Sequence, residues 1–553
     1  MNVSPTDYAV ISQALHAAAN EMGAKLIRSA YSTILREARD GASALLDRAG
    51  NVVAQADLIP MQLGPMSMTI KPCLERYPAE ELEEGDFFIN NDPFDGGQHL
   101  PDVFIFTPIF VDGRVIGFGA SVAHHLDLGG GSPGLNSSAT DIFQEGLRIP
   151  PSKYNMHKDW NGGPFERLVA ANVRVPDLTI GDFNAQHSAN AVGADRVRQL
   201  CRKYGTDAVC EVMAEFVNYS ERRMRHAISR IPDGVYYGQD AVDDDGTDDT
   251  PLDVRVKLEV RGDEIFVDFT GTCAQVMRNV NCPLSSTYSA TLNCIKSVAS
   301  ESDIPYNEGV KRPVHIHVPP GTLLNPVHPA PVRARMEAAY RVFNAIMKAL
   351  SQAVPERVIA SGFDTTAVIC FSRQDSAGYK ICLEVFGGGY GASAHADGCD
   401  AVDSPLSNCS NTPVEALDSE HDFIRVVAHR LEPDSFGHGA QRGGAGFSRR
   451  YAVLRDNVKL EIYADRFRLQ PSGLFGGTAG SLGRCVVERG RDSFEVGSKS
   501  STWLQAGDVV TLTCGGGAGY GEPRRRLPTA IAQDIAAGLL SPAVAKAVYS
   551  HET

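Results

Sequence analysis

The chain has no run of apolar residues long enough to span a bilayer, so it is expected to have no membrane-embedded part. Basic residues are the scarcer charge. Lys and Arg number 52 against 67 Asp and Glu, a formal net charge of −15. Duplex nucleic acid and anionic lipid are therefore not expected as main partners. The opening MNVSPTDYAVISQALHAAANE lacks the basic and apolar blocks of a signal peptide, and the expected location is cytoplasmic. The twelve cysteines are scattered, with no Cys-x-x-Cys, which favours free thiols over a disulfide framework. There is no GxxxxGK[ST] phosphate loop, so no ATP site is expected in this chain. There is no reactive-cysteine signature either.

Glycine is abundant, at 53 residues, and it is clustered: GGGSPG, FGGGYGAS, FGHGAQRGGAGF, LFGGTAG and CGGGAGYGEP. Clusters of this kind suit tight turns and close backbone approaches better than flexible tethers. At 553 residues the chain is too long for one simple core. Hydrophobic periodicity predicts an α+β, multilayer fold. A helical and metal-site region (1–235) precedes a mixed α/β region (236–365) and a β-rich, glycine-rich region (366–553) that ends in one short helix at 528–549. Within the first region the pattern predicts a helix over 7–38, capped by Thr6 or Asp7 and interruptible at Gly23. A hairpin over 42–54 and strands near 86–89, 103–110 and 115–122 follow, then helices over 177–204, with Asp182 near the cap, and 211–231.

The chemistry concentrates in His99-Leu-Pro-Asp102 and His124-His125-Leu-Asp127, each beside glycine and near a strand end. Imidazole nitrogen with carboxylate oxygen suits Zn, Mn or Fe(II). Two His and one Asp would leave coordination positions open, as a catalytic metal requires. The same residues could equally be hydrogen-bonded parts of the framework, because spacing does not show convergence. Asp40 falls between helix and hairpin, where a carboxylate opposes the helix dipole. It reads either as a surface residue opening a turn or as a partner for a nearby cation. Glu145 reads as a general base or supporting carboxylate, or as the ion-pair partner of Arg148. The acidic run from Asp240 to Asp249 reads as a solvated turn rather than a cation loop, since it lacks the closing Glu of a calcium site.

Ordered motifs along the chain resemble the B subunit of the ATP-dependent hydantoinase/oxoprolinase family, which is related to acetone and acetophenone carboxylase subunits. They include REARDGASALLD, GDFFINNDPFDGGQHLPDV, AHHLDLGG, QEGLRIPP, NVRVPDLTIGDFNAQ, NTPVEALDSE, RGGAGFSRRY and CGGGAGYGEP. The resemblance implies hydrolysis of a cyclic amide (a hydantoin, oxoproline or lactam) in partnership with an ATP-binding A subunit that carries ATP and Mg, in a heterotetramer or larger complex. It places metal-binding positions on His99, Asp102 and His124, with Asp40 as a further ligand or catalytic carboxylate. It leaves His125 and Asp127 as supporting residues. The alternatives are a ketone carboxylase subunit and a non-catalytic scaffold for the A subunit.

Overall fold

The structure is a computed structural model and describes residues 3–300 and 303–550. Its first sheet has six antiparallel strands: β1 (Gly41–Asp47), β2 (Val52–Gln55), β3 (Asp86–Asn90), β4 (Asp102–Val111), β5 (Arg114–His124) and β6 (Ser152–Asn155), in the order β2-β1-β5-β4-β3-β6. Strand alternation sorts the side chains between its two faces. Ala42, Ala44 and Leu46 join Phe104, Phe106 and Phe118 against the Met66–Arg76 helix. Leu45 turns to the opposite face, where the helices Pro5–Ser29 and Pro176–Tyr204 pack. Both faces are buried, so the strands read as nearly continuous apolar runs.

A second sheet contains β7 (Gly234–Val242), β8 (Leu252–Arg261), β9 (Glu264–Asp268) and β10 (Val314–His317), with β9 and β10 parallel. The helices Leu284–Ala299 and Arg335–Leu350 share its apolar cluster. Nine strands follow: β11 (Ala367–Asp375), β12 (Gly378–Phe386), β13 (Ile424–Leu431), β14 (Phe447–Val453), β15 (Val458–Tyr463), β16 (Arg484–Arg489), β17 (Asp492–Val496), β18 (Lys499–Leu504) and β19 (Val509–Cys514). They form one sheet in the order β12-β11-β15-β18 and another in the order β13-β14-β19-β16-β17. Ile369 and Phe371 face Tyr451 and Leu512 in the core between these sheets. Val368 and Cys370 point the other way, into a cluster that runs from Ile34 to Tyr463. The β11 sheet thus walls off the C-terminal sandwich from the front of the molecule. Among the described residues no helix is long and apolar enough to cross a membrane.

Several boundaries differ from expectation for local reasons. Ser4, not Thr6 or Asp7, caps the first helix by accepting from the Asp7 N–H, with Pro5 in the first turn. That helix runs unbroken through Gly23 and stops at Ser29, because Asp182 accepts the backbone N–H groups of Tyr31 and Ser32. Asp182 therefore lies inside its own helix rather than near the cap. Asp240 belongs to β7, and the C-terminal helix is two, Pro528–Ala536 and Pro542–Tyr549. The Leu284–Ala299 helix and strands β7, β10 and β16–β18 carry signals too weak to be read from the sequence.

The glycine clusters become a set of backbone segments packed directly on one another. Gly444 N–H donates to the Tyr390 carbonyl, and Gly517 N–H donates to the Gly444 carbonyl. A Cβ at Gly444 would lie 1.8 Å from the Cys399 carbonyl oxygen, and one at Gly389 would lie 1.9 Å from that of Gly444. Backbone cannot yield as a side-chain tip can. Gly444→Ala is therefore expected to lower stability by about 1–3 kcal/mol or more, read as a fall in the urea midpoint. Gly497→Ala, whose nearest contact would be an ordinary 3.5 Å, is expected to leave it nearly unchanged.

Candidate functional site

Three neighbouring strands of the first sheet end at one point. Asp102 opens β4 and lies directly opposite His124, the last residue of β5. Asp40 immediately precedes β1, and its carbonyl accepts the His124 N–H at 3.0 Å. The row Asp40, His124 and Asp102 is thus set by strand register, at the spacing of cross-strand neighbours. His99 folds back over it: its carbonyl accepts the Asp102 N–H, and its ring centroid is 5.0 Å from that of His124. Gln62 bridges the carboxylates, donating to Asp40 at 2.7 Å and to Asp102 at 3.2 Å.

The facing wall comes from the start of the Arg335–Leu350 helix and from the β11 sheet. Arg335 pairs with Asp102, while Arg333 donates to the Gly134 carbonyl. Val368, Leu383, Val385 and Tyr463 add an apolar rim. Asp40, Gln62, His99, His124, Arg333 and Arg335 line a narrow, partly open cavity, whose volume is about 30 Å³. That holds a water or an ion. A cyclic substrate enters only if a wall moves.

Electrostatics divide the donors. Burial, with the charge of Arg335, pushes the His99 imidazole down to about 3. Burial and the neighbouring His99 and Arg333 also push His124 well below its usual range. Both shifts favour the neutral ring, the form in which imidazole binds metal. Burial opposes ionisation of Asp102, but His99 and Arg335 outweigh it and hold the carboxyl below its usual range. Burial and the adjacent Asp102 carboxylate push Asp40 up.

The set fits a divalent transition metal in its chemistry. His99 Nδ1 and His124 Nδ1 are buried without a hydrogen-bond partner. His99 Nδ1 lies 3.0 Å from Asp102 Oδ2 but off the line of a hydrogen bond. Among the described residues, however, no three His, Cys, Asp or Glu side chains stand ready to hold a metal. Arg335 occupies the Asp102 oxygen nearest His99. Metal binding through Asp102 therefore requires that guanidinium to move.

The remaining sequence candidates lie around the site. His125 points to the other side of β5, with Nε2 3.0 Å from Gln186 Oε1 and its ring 4.2 Å from that of Phe183. Asp127 pairs with Arg174 and accepts the N–H groups of Gly129 and Gly134, shaping the loop that brings Leu135 to the cavity. Glu145 does not pair with Arg148, which instead lies 3.6 Å from Asp92. Glu145 sits behind the cavity wall and accepts the Val332 and Arg333 N–H groups at 2.9 and 2.8 Å. The sequence reading missed Gln62, Arg333 and Arg335. Arg335 had a detectable signal, a cation at the positive end of a helix, where it calls for an anion.

The Hydantoinase B/oxoprolinase family model matches residues 4–523. The B subunit of a putative D-/L-hydantoinase from Pseudomonas sp. (strain NS671) is 33% identical over 98% of this chain and 93% of its own length. The crystal structure of an ATP-dependent caprolactamase from Pseudomonas jessenii superposes with a TM-score of 0.92 at 27% identity, covering 99% of this chain and 96% of that one. The nucleotide-free structure of an acetone carboxylase gives a TM-score of 0.89 at 20% identity, over 99% of this chain and 79% of that one, and so shares the fold.

Glu145 generates a pH signature. Burial pushes its carboxyl up to about 7, against partial relief from the two N–H groups that it accepts. Its contribution to stability is complete below its unfolded value near 4.5 and is lost as pH rises through about 7. Glu145→Gln keeps the acceptor oxygen without the charge. Thermal melts across this window should show wild type losing up to about 3 kcal/mol relative to the variant. Parallel pH profiles would remove the burial argument.

Proposed function

This chain belongs to the Hydantoinase B/oxoprolinase family, and on that premise we propose that it is the ring-opening subunit of an ATP-dependent cyclic-amide hydrolase. An ATP-binding partner subunit carries out the activation. Two observations support this division. The chain has no phosphate loop of its own, and the hydantoinase relative is named as one subunit of an enzyme. The observation that carries the reading is the row Asp40, His124 and Asp102 across three adjacent strand ends, closed by His99.

His99, His124, Asp102 and Asp40 would hold a divalent zinc, manganese or iron ion. When bound, such an ion supplies Lewis acidity toward an oxygen of water or substrate. The protein's own groups do the rest. Asp40, pushed up by burial and by Asp102, is suited to take a proton near neutral pH at its carboxylate. Gln62 orients that carboxylate. The apolar rim of Val368, Leu383 and Val385 keeps bulk water from the ring. Glu145 reaches the cavity only through the Val332–Arg333 backbone, so we assign it positioning rather than proton transfer. A resonance-stabilised amide resists water. Conversion of its oxygen to a phosphate ester by the partner makes the carbon electrophilic; addition of one water and collapse with C–N cleavage frees the amine and leaves an acyl phosphate, which a second water hydrolyses to carboxylate and phosphate.

The test is ATP-dependent opening of hydantoin, 5-oxoproline and caprolactam by the co-purified subunit pair. His99→Ala and Asp40→Asn are each expected to lower kcat for ring opening by about 100-fold or more. ATP turnover by the partner should persist at least in part. Wild-type ring opening by the His99→Ala pair would sink the site assignment. Opening of none of the rings, with bicarbonate-dependent consumption of a ketone instead, would replace hydrolysis with carboxylation.

A further inference from the structure

The site holds a positive charge that its own carboxylates do not use. Arg333 and Arg335 both line the cavity, at 5% and 4% exposure. A buried guanidinium is costly unless an anion answers it. Arg335 has Asp102. Arg333 has no carboxylate partner among the ion pairs of the described residues. Its hydrogen bond goes to the neutral Gly134 carbonyl, and its Nε is buried with no partner at all. Arg335 Nε is buried and unpartnered as well.

The surroundings answer this charge only in part: the Glu145 carboxyl lies near enough to feel both arginines but forms no ion pair with either among the described residues. Arg335 is the first residue of a 16-residue helix whose N-cap, Ala334, provides no side-chain acceptor. The positive end of that helix dipole therefore adds to the two guanidinium groups. The imidazoles of His99 and His124 across the cavity carry no negative charge. Glu145 spends one oxygen on the Val332 and Arg333 N–H groups and stands outside the cavity lining.

We propose that Arg333, supported by Arg335, is the oxyanion-recognition residue of this site, taking the charged oxygens of a phosphoryl or carboxylate group on the substrate. The planar fork of a guanidinium matches either group. The bond to Gly134 is the one that Arg333 exchanges for the ligand. That exchange also releases the loop carrying Leu135, which a 30 Å³ cavity needs before a ring can enter. This inference rests on the reading that an activated cyclic amide reacts in this cavity.

The probes are inorganic phosphate and acetate, titrated calorimetrically into the purified chain as wild type, Arg333→Gln and Arg333→Lys. The thermal transition of each protein is checked first. Wild type should bind at least one anion, Arg333→Gln should bind it ten-fold or more weakly, and Arg333→Lys should recover part of the loss through charge without the fork. Tighter phosphate assigns the phosphoryl group, and tighter acetate assigns the carboxylate. In the subunit pair, Arg333→Gln should raise KM for the ring more than it lowers kcat. Absence of binding to wild type, or equal binding by Arg333→Gln, would overturn the proposal. Binding of the bare anions needs neither ATP nor ring opening, so failure of the hydrolase reading would show separately, in the activity assay.

Discussion

Burying Asp102 at the end of a central strand of the six-stranded sheet is costly unless its charge is answered, and Arg335 answers it. That ion pair joins the first sheet to the start of the Arg335–Leu350 helix. The helix in turn packs on the second sheet, and Met336 and Tyr463 place the same junction against the β11 sheet. The cavity is a consequence of this meeting. One wall is fixed by strand register, another by a helix terminus, and a third by the back of a β-sandwich. None of these elements could hold the arrangement alone.

The charges of the site are arranged in opposition. His99 and Arg335 hold Asp102 below its usual range, while burial pushes His99 and His124 down and Asp40 up. Neighbouring carboxylates with separated proton affinities give one fixed anion and one group able to exchange a proton, which is the usual basis for dividing acid and base roles. The Arg335–Asp102 pair also competes with a metal for the same oxygen. A metal bound through Asp102 would therefore displace the guanidinium, and on the proposed reading the arginine so released would be free to meet a substrate anion.

Much of the first sheet was legible in the sequence, because each strand is bounded by turn residues and carries a strong apolar pattern. The hairpin around Arg48–Asn51 and the end of β5 at His124 are examples. β7 was not legible, since its Asp240 belongs to an acidic run and is buried only through Arg466, Arg341 and Lys348. The Leu284–Ala299 helix, rich in Ser and Thr, has little helical propensity and is held by hydrogen bonds from Ser285 and Ser289 to distant carbonyls. In the site, His99, Asp102, His124 and Asp40 stood out by residue type. Their convergence depends on pairing of β1, β5 and β4, which no local pattern states. Arg333 and Arg335 lie more than two hundred residues from His124, and only the tertiary fold brings them across the cavity.

The most direct measurement is elemental analysis of the purified chain, wild type beside His124→Ala, with circular dichroism to confirm that both are folded. If the strand-end cluster is a metal centre, wild type carries about one zinc, manganese or iron per chain and the variant carries almost none. Equal metal in both proteins, or none in wild type after reconstitution with each ion, would contradict the account.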